Sequence, residues 1–156
     1  MHVHHPWPPD RKMTMTFDDY RPGYHELFTS YLARKNGWTA DYATAVTDSA
    51  LQFLAVCAEH PGEKLVSSDD VDQAVDAIVL DTELCRWLET VLGRQVIHQP
   101  SYAHSPVERA RQDIAYSITI GYMRQRGPVN PHIWRDLTDT ACTVASCWSS
   151  CRVVAA

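Results

Sequence analysis

Three cysteines near the C-terminus, Cys142, Cys147 and Cys151, are the residues of this chain best suited to chemistry. They lie in "TACTVASCWSSCRVVA" with the spacing C-x4-C-x3-C. Thiolates joined by an imidazole are a zinc donor set, and short spacings let one loop supply two or three of the four tetrahedral ligands. His98 in "QVIHQP" is the first choice for the fourth ligand, with His104 and His132 as the other candidates. The expected cofactor is therefore zinc. The spacing is looser than C-x2-C, so three unliganded thiols are the plain alternative. The same stretch allows a chemistry of another class. Thr138, Thr140, Thr143, Ser146, Ser149 and Ser150 stand beside the cysteines, and a dehydrated Ser or Thr accepts a soft thiolate to close a thioether ring. Residues 138–156 then read as the core of a ribosomally made, lanthipeptide-like product behind a folded leader, with peptide-modifying enzymes as partners. No Gly-Gly or Gly-Ala processing site separates Trp134 from Cys142.

A second group is acidic. Asp69, Asp72 and Asp76 recur at offsets of three and four, which places them on one helix face. Such a face can seat a hard cation or a general base. The bland reading is capping and dipole stabilisation at a solvated helix start. On that reading Asp76→Ala costs about 0–1 kcal/mol; a polar pocket shared with His98 would instead couple the two positions. No nucleophile elbow, phosphate-binding glycine loop or H-E-x-x-H helix is present. The expectation is a protein that binds and does not catalyse.

Composition narrows the partners. Nineteen acidic against fourteen basic residues leave a formal charge of −5, and no Lys/Arg run interrupts that balance. Nucleic acid and anionic membrane are thereby disfavoured, leaving an unidentified protein partner or small ligand. No apolar stretch approaches the roughly 18 residues of a membrane span. The opening "MHVHHPWPPDRK" lacks the apolar region of a secretory signal. The expected location is the cytoplasm, where stable disulfides are rare.

Helices must position these groups. Tyr24, Leu27, Phe28, Tyr31 and Leu32 form a helical stripe that Gly37 stops; Val46, Ala50, Phe53, Leu54 and Cys57 form another, capped by Thr39 and ended by Pro61-Gly62. Ser67, Ser68 and Asp69 are cap candidates for a stripe through Val71, Val75 and Ile78. Asp81-Thr82 is a break before Leu84, Trp87, Leu88 and Val91. "QVIHQPSYAHSP" reads as a connector. Ser105, Pro106 and Glu108 open a helix whose Ile114, Ile118, Tyr122 and Met123 should face inward. Asn130-Pro131 should cap a last short helix. Trp87 and Trp134 read as core. The fold class is all-α, a compact bundle of five or six helices with a flexible N-terminus and a Cys-rich C-terminal tail. Its parts are a leader or start-site extension at 1–15, a helical domain at 16–137 and a tail at 138–156.

The middle of the chain, "SSDDVDQAVDAIVLDTELCRWLETVLGRQVIHQP", resembles the core motif of bacterial glycine-rich domain-containing protein-like sequences. That motif runs as Ser, Val-Asp, Trp-His, an apolar pair with Leu-x-Thr, Tyr, and Gly with Ile-His-His-x-Pro. The flanks extend the resemblance to about residues 40–151. Val71, Asp72, Leu80, Thr82, Gly93, Ile97, His98 and Pro100 match. Val75 stands in place of the Trp, Asp76 of the His, Cys85 of the Tyr and Gln99 of the second His. The resemblance implies mainly a fold. If the paired histidines of that motif build a polar or metal site, this chain keeps His98 of the pair.

Overall fold

The computed structural model describes residues 15–100, 105–135 and 150–155. Its described residues are mostly helical: a 3-10 turn at Phe17–Asp19, then α1 (Tyr24–Asn36), α2 (Ala40–Glu59), α3 (Asp69–Leu80), α4 (Thr82–Leu92) and α5 (Pro106–Arg126). Three short strands complete it: β1 (Leu65–Val66), β2 (Arg94–Gln99) and β3 (Ser150–Ala155). None of these helices is long and apolar enough to cross a membrane.

Local chemistry sets most helix ends. The Thr39 hydroxyl accepts from the Tyr42 amide, the Ser68 hydroxyl from Val71, and the Asp81 carboxylate from Leu84. Each satisfies an amide that has no partner within its own helix. Asp81 thus separates α3 from α4, as the break at Asp81-Thr82 suggested. Ser105 and Glu108 form a reciprocal capping box at α5 with Pro106 at its start. At the other end of α4, Gly93 takes a left-handed φ of 66°, a conformation open to glycine at little cost, and turns the chain directly into β2.

The core follows from the apolar stripes. Along α2, Val46, Ala50, Phe53, Leu54 and Cys57 are all fully buried. Phe17 is buried edge-on against Phe28, with Trp87 on another side. Trp134 is buried between Phe53 and Tyr116, and the Tyr116 hydroxyl donates to the Arg135 carbonyl at 2.8 Å. Burying one such side chain contributes about 1.5–3 kcal/mol.

Four local expectations are corrected. Ile114 and Ile118 face out, Ile114 being 62% exposed, and α5 instead buries Tyr116, Thr119, Ile120 and Met123. Buried Thr119 is the reason the helix turns that way: its hydroxyl accepts the Val66 amide of β1 at 3.1 Å. On α1, Phe28 and Leu32 are buried while Leu27 and Tyr31 are exposed. Residues 94–99, read as connector, form strand β2. Asn130-Pro131 opens a turn in which Asn130 accepts from the amides of Ile133 and Trp134, and no helix follows among the described residues.

The sheet order is β1-β3-β2, antiparallel throughout. Residues 150–155, assigned from sequence to a tail beyond the helical domain, therefore form its middle strand. β1 and β2 meet only through β3. A pairing between segments this distant in the chain leaves no local periodicity to read.

Candidate functional site

The site lies where α3 faces β2. α3 carries Asp72 and Asp76 one turn apart, on the flank of the stripe that buries Val71, Val75 and Ile78. β2 carries His98. Its orientation is fixed from two sides: β3 pairs along its whole length, and the Val96 amide donates to the Glu89 carboxylate of α4 at 3.0 Å. The short path α3–Asp81–α4–Gly93–β2 thus folds back so that residue 98 reaches residues 72 and 76.

His98 Nε2 lies 2.8 Å from Asp76 Oδ1 and 3.2 Å from Asp72 Oδ1. The His98 side chain is 7% exposed and that of Asp72 13%, whereas Asp76 is 44% exposed. The imidazole is the floor of the site and Asp76 is its mouth. The ligand-capable atoms of the three residues all lie within 4.8 Å of one another. Two carboxylates therefore converge on one ring nitrogen, which has one proton to give. A cation bound among them would neutralise the remaining negative charge.

The surroundings strengthen the negative field. At the start of α3, desolvation and then the charges of Asp70 and Asp72 raise the Asp69 carboxyl, against the opposing pull of Arg135. The Tyr42 hydroxyl donates to Asp70; burial first, and this bond second, push its pKa up to about 12. Asp70 is thus engaged in a bond that ties the start of α3 to α2.

The candidate ligands read from sequence divide accordingly. His98 is in the cluster. Cys142, Cys147 and His104 lie outside the described residues. Cys151 lies in β3, where its Cα is paired with that of His98 on one side and that of Leu65 on the other. His132 sits in the exposed turn after α5, its amide donating to the Asn130 side chain at 2.9 Å, away from the cluster. Asp76, whose bland reading was a solvated first-turn residue, is corrected to a partner of His98, because β2 packs against that face of α3. Its signal in the sequence was the i, i+4 offset from Asp72 together with its place in the motif of the resemblance.

No family model, curated protein or solved structure matches this chain. The functional reading rests on the chemistry of the site.

Proposed function

We propose that this chain is a non-catalytic binding protein whose site is the Asp72–Asp76–His98 cluster and whose ligand is a divalent metal ion of the zinc class. The observation that carries this reading is the approach of one buried imidazole nitrogen to two carboxylates on adjacent turns of a helix. An ion about 2.0–2.2 Å from each donor holds its ligand atoms roughly 3–4 Å apart. The observed spacing needs only small side-chain shifts to reach that, with the metal replacing the shared proton. Mixed imidazole and carboxylate donors suit borderline first-row metals better than calcium, which prefers six to eight oxygens. Half-exposed Asp76 supplies the entry path.

The resemblance to glycine-rich domain-containing protein-like sequences fits the same reading. Motif positions 72, 76 and 98 come together here, and the Asp at 76, where the motif has His, is itself a residue type that can donate to a metal. The alternative, a modified-peptide precursor with its core at 138–156, has a cost in this fold: release of that core would take β3 out of the middle of the sheet. A cytoplasmic location accords with a metal-binding protein that keeps its thiols reduced.

Isothermal titration of the reduced, metal-stripped full chain with zinc tests the reading. Close to one equivalent should bind, and His98→Ala should abolish binding. Absence of uptake in the intact protein refutes it. For the precursor, the intact mass of protein from its native host is the test: each dehydration removes about 18 Da.

A further inference from the structure

We propose that the groove between α1 and α3 is a second binding site, which takes a free single-chain amphiphile with an apolar body and one carboxylate head. It is separate from the Asp72–Asp76–His98 site, which lies where α3 faces β2, and it does not depend on the metal reading.

The groove follows from one face of α1. Tyr24, Leu27, Phe28, Tyr31 and Arg34 recur at offsets of three and four, which puts them on a single stripe of the helix. Ala77, Leu80 and Asp81, at the end of α3, complete the lining of a cavity of about 400 Å³. That volume falls within the roughly 300–1,000 Å³ of small-molecule pockets. Phe28 and Ala77 are buried, whereas Leu27, Tyr31 and Leu80 are 61%, 44% and 75% exposed. A lone exposed leucine needs no explanation. Three large apolar side chains gathered around one cavity mark a surface that a ligand would cover.

The charges around the groove say what covers it. Arg34 lines the cavity, and Lys35 follows it, with its Nζ 6.0 Å from the centre of the Tyr31 ring. Neither cation has an ion pair among the described residues. Asp81, by contrast, already accepts the Leu84 amide and the Tyr24 hydroxyl, so it calls for no cation from a ligand. The groove thus offers one open charge, and that charge is positive. A guanidinium presents paired N–H donors that match the two oxygens of a carboxylate. The apolar body then lies along Leu27, Tyr31 and Leu80. Tyr24 and Arg34 stand ten residues apart on α1, about 15 Å along the helix axis, room for a chain of about ten carbons.

Decanoate is the probe, titrated calorimetrically into the full chain below its micelle concentration. About one equivalent should bind, with amide shifts concentrated at residues 24–34 and 77–81. Leu80→Asn shortens the apolar wall at an exposed position and should weaken binding by roughly fivefold or more. Arg34→Gln should weaken decanoate by about fivefold and leave decanol, the neutral head on the same chain, unchanged. Circular dichroism of both variants should match the parent, since each altered side chain is exposed. No decanoate uptake, or uptake that neither substitution weakens, overturns the proposal. Equal loss of decanol and decanoate in Arg34→Gln overturns the carboxylate head. A dimer in sedimentation that Leu80→Asn splits would give the groove to a second copy and overturn it as well.

Discussion

Two carboxylate groupings hold α3 to its neighbours, one midway along the helix and one at its end, and they differ in the groups they face. At the end, Asp81 accepts the Leu84 amide on one oxygen and the Tyr24 hydroxyl on the other. The carboxylate caps α4 and ties α3 to α1 with a neutral donor, and that hydrogen bond, ahead of burial, pushes Tyr24 up to about 12. Midway along the helix, Asp72 and Asp76 converge on His98 instead. In the first case one carboxylate meets two neutral donors, and in the second two carboxylates meet one imidazole nitrogen. A structural carboxylate has its own dedicated donors. The proposed cation site instead brings two carboxylates to one nitrogen.

The comparison breaks most severely if β3 is lost. Ending the chain after Ser149 leaves β1 and β2 without their common partner, and at about 1 kcal/mol per lost hydrogen bond the cost should be at least about 4 kcal/mol, lowering Tm by roughly 10 °C or more. This exceeds the cost of about 1–3 kcal/mol that a loosely packed tail would give. Urea denaturation of the two lengths measures it; equal midpoints would show that the sheet does not depend on β3.

Next in size is His98→Ala, which leaves Asp72 and Asp76 facing one another. A loss of about 2–4 kcal/mol is expected, together with all metal binding. Asp76 should be coupled to His98 by about 1–2 kcal/mol in a double-mutant cycle, since a charged partner strengthens the hydrogen bond and Asp76 is half in solvent. Coupling below about 0.5 kcal/mol would return Asp76 to the role of a solvated residue on the helix face.

The Asp81 cluster should respond differently. Tyr24→Phe removes one neutral-to-charged hydrogen bond, at a cost of about 0.5–1.5 kcal/mol, and should leave metal affinity within error. A change in affinity there would dissolve the distinction between the clusters.

The smallest effect is a dependence on alkaline pH. Tyr24 and Tyr42 both rise from 10.0 to about 12 in the folded chain. Between those values the unfolded chain has lost protons that the folded chain keeps, so stability falls as pH rises through this window; below it the contribution is fully present. Denaturant midpoints from pH 9 to 12 should show the decline, and Tyr24→Phe with Tyr42→Phe should flatten it.

Helix ends were legible in this chain because capping is local. Thr39, Asp81 and Ser105 each bond to an amide three residues on, and that geometry is written in adjacent residues. The buried stripe of α2 was legible for the same reason. The outward turn of Ile114 and Ile118 was not, since the anchoring partner of α5 is the Val66 amide, 53 residues before Thr119. The site divides along the same line. Asp72 and Asp76 share a helix face by their spacing alone, and His98 stood out by its residue type and motif. Their meeting depended on β2 being held against α3, and β2 is paired by a strand more than fifty residues later. The sequence by itself determined the helices, their caps and the donors on each. Only tertiary structure decided which donors face one another, because strand register and helix rotation are set by contacts that residues far apart in the chain make once the core has closed.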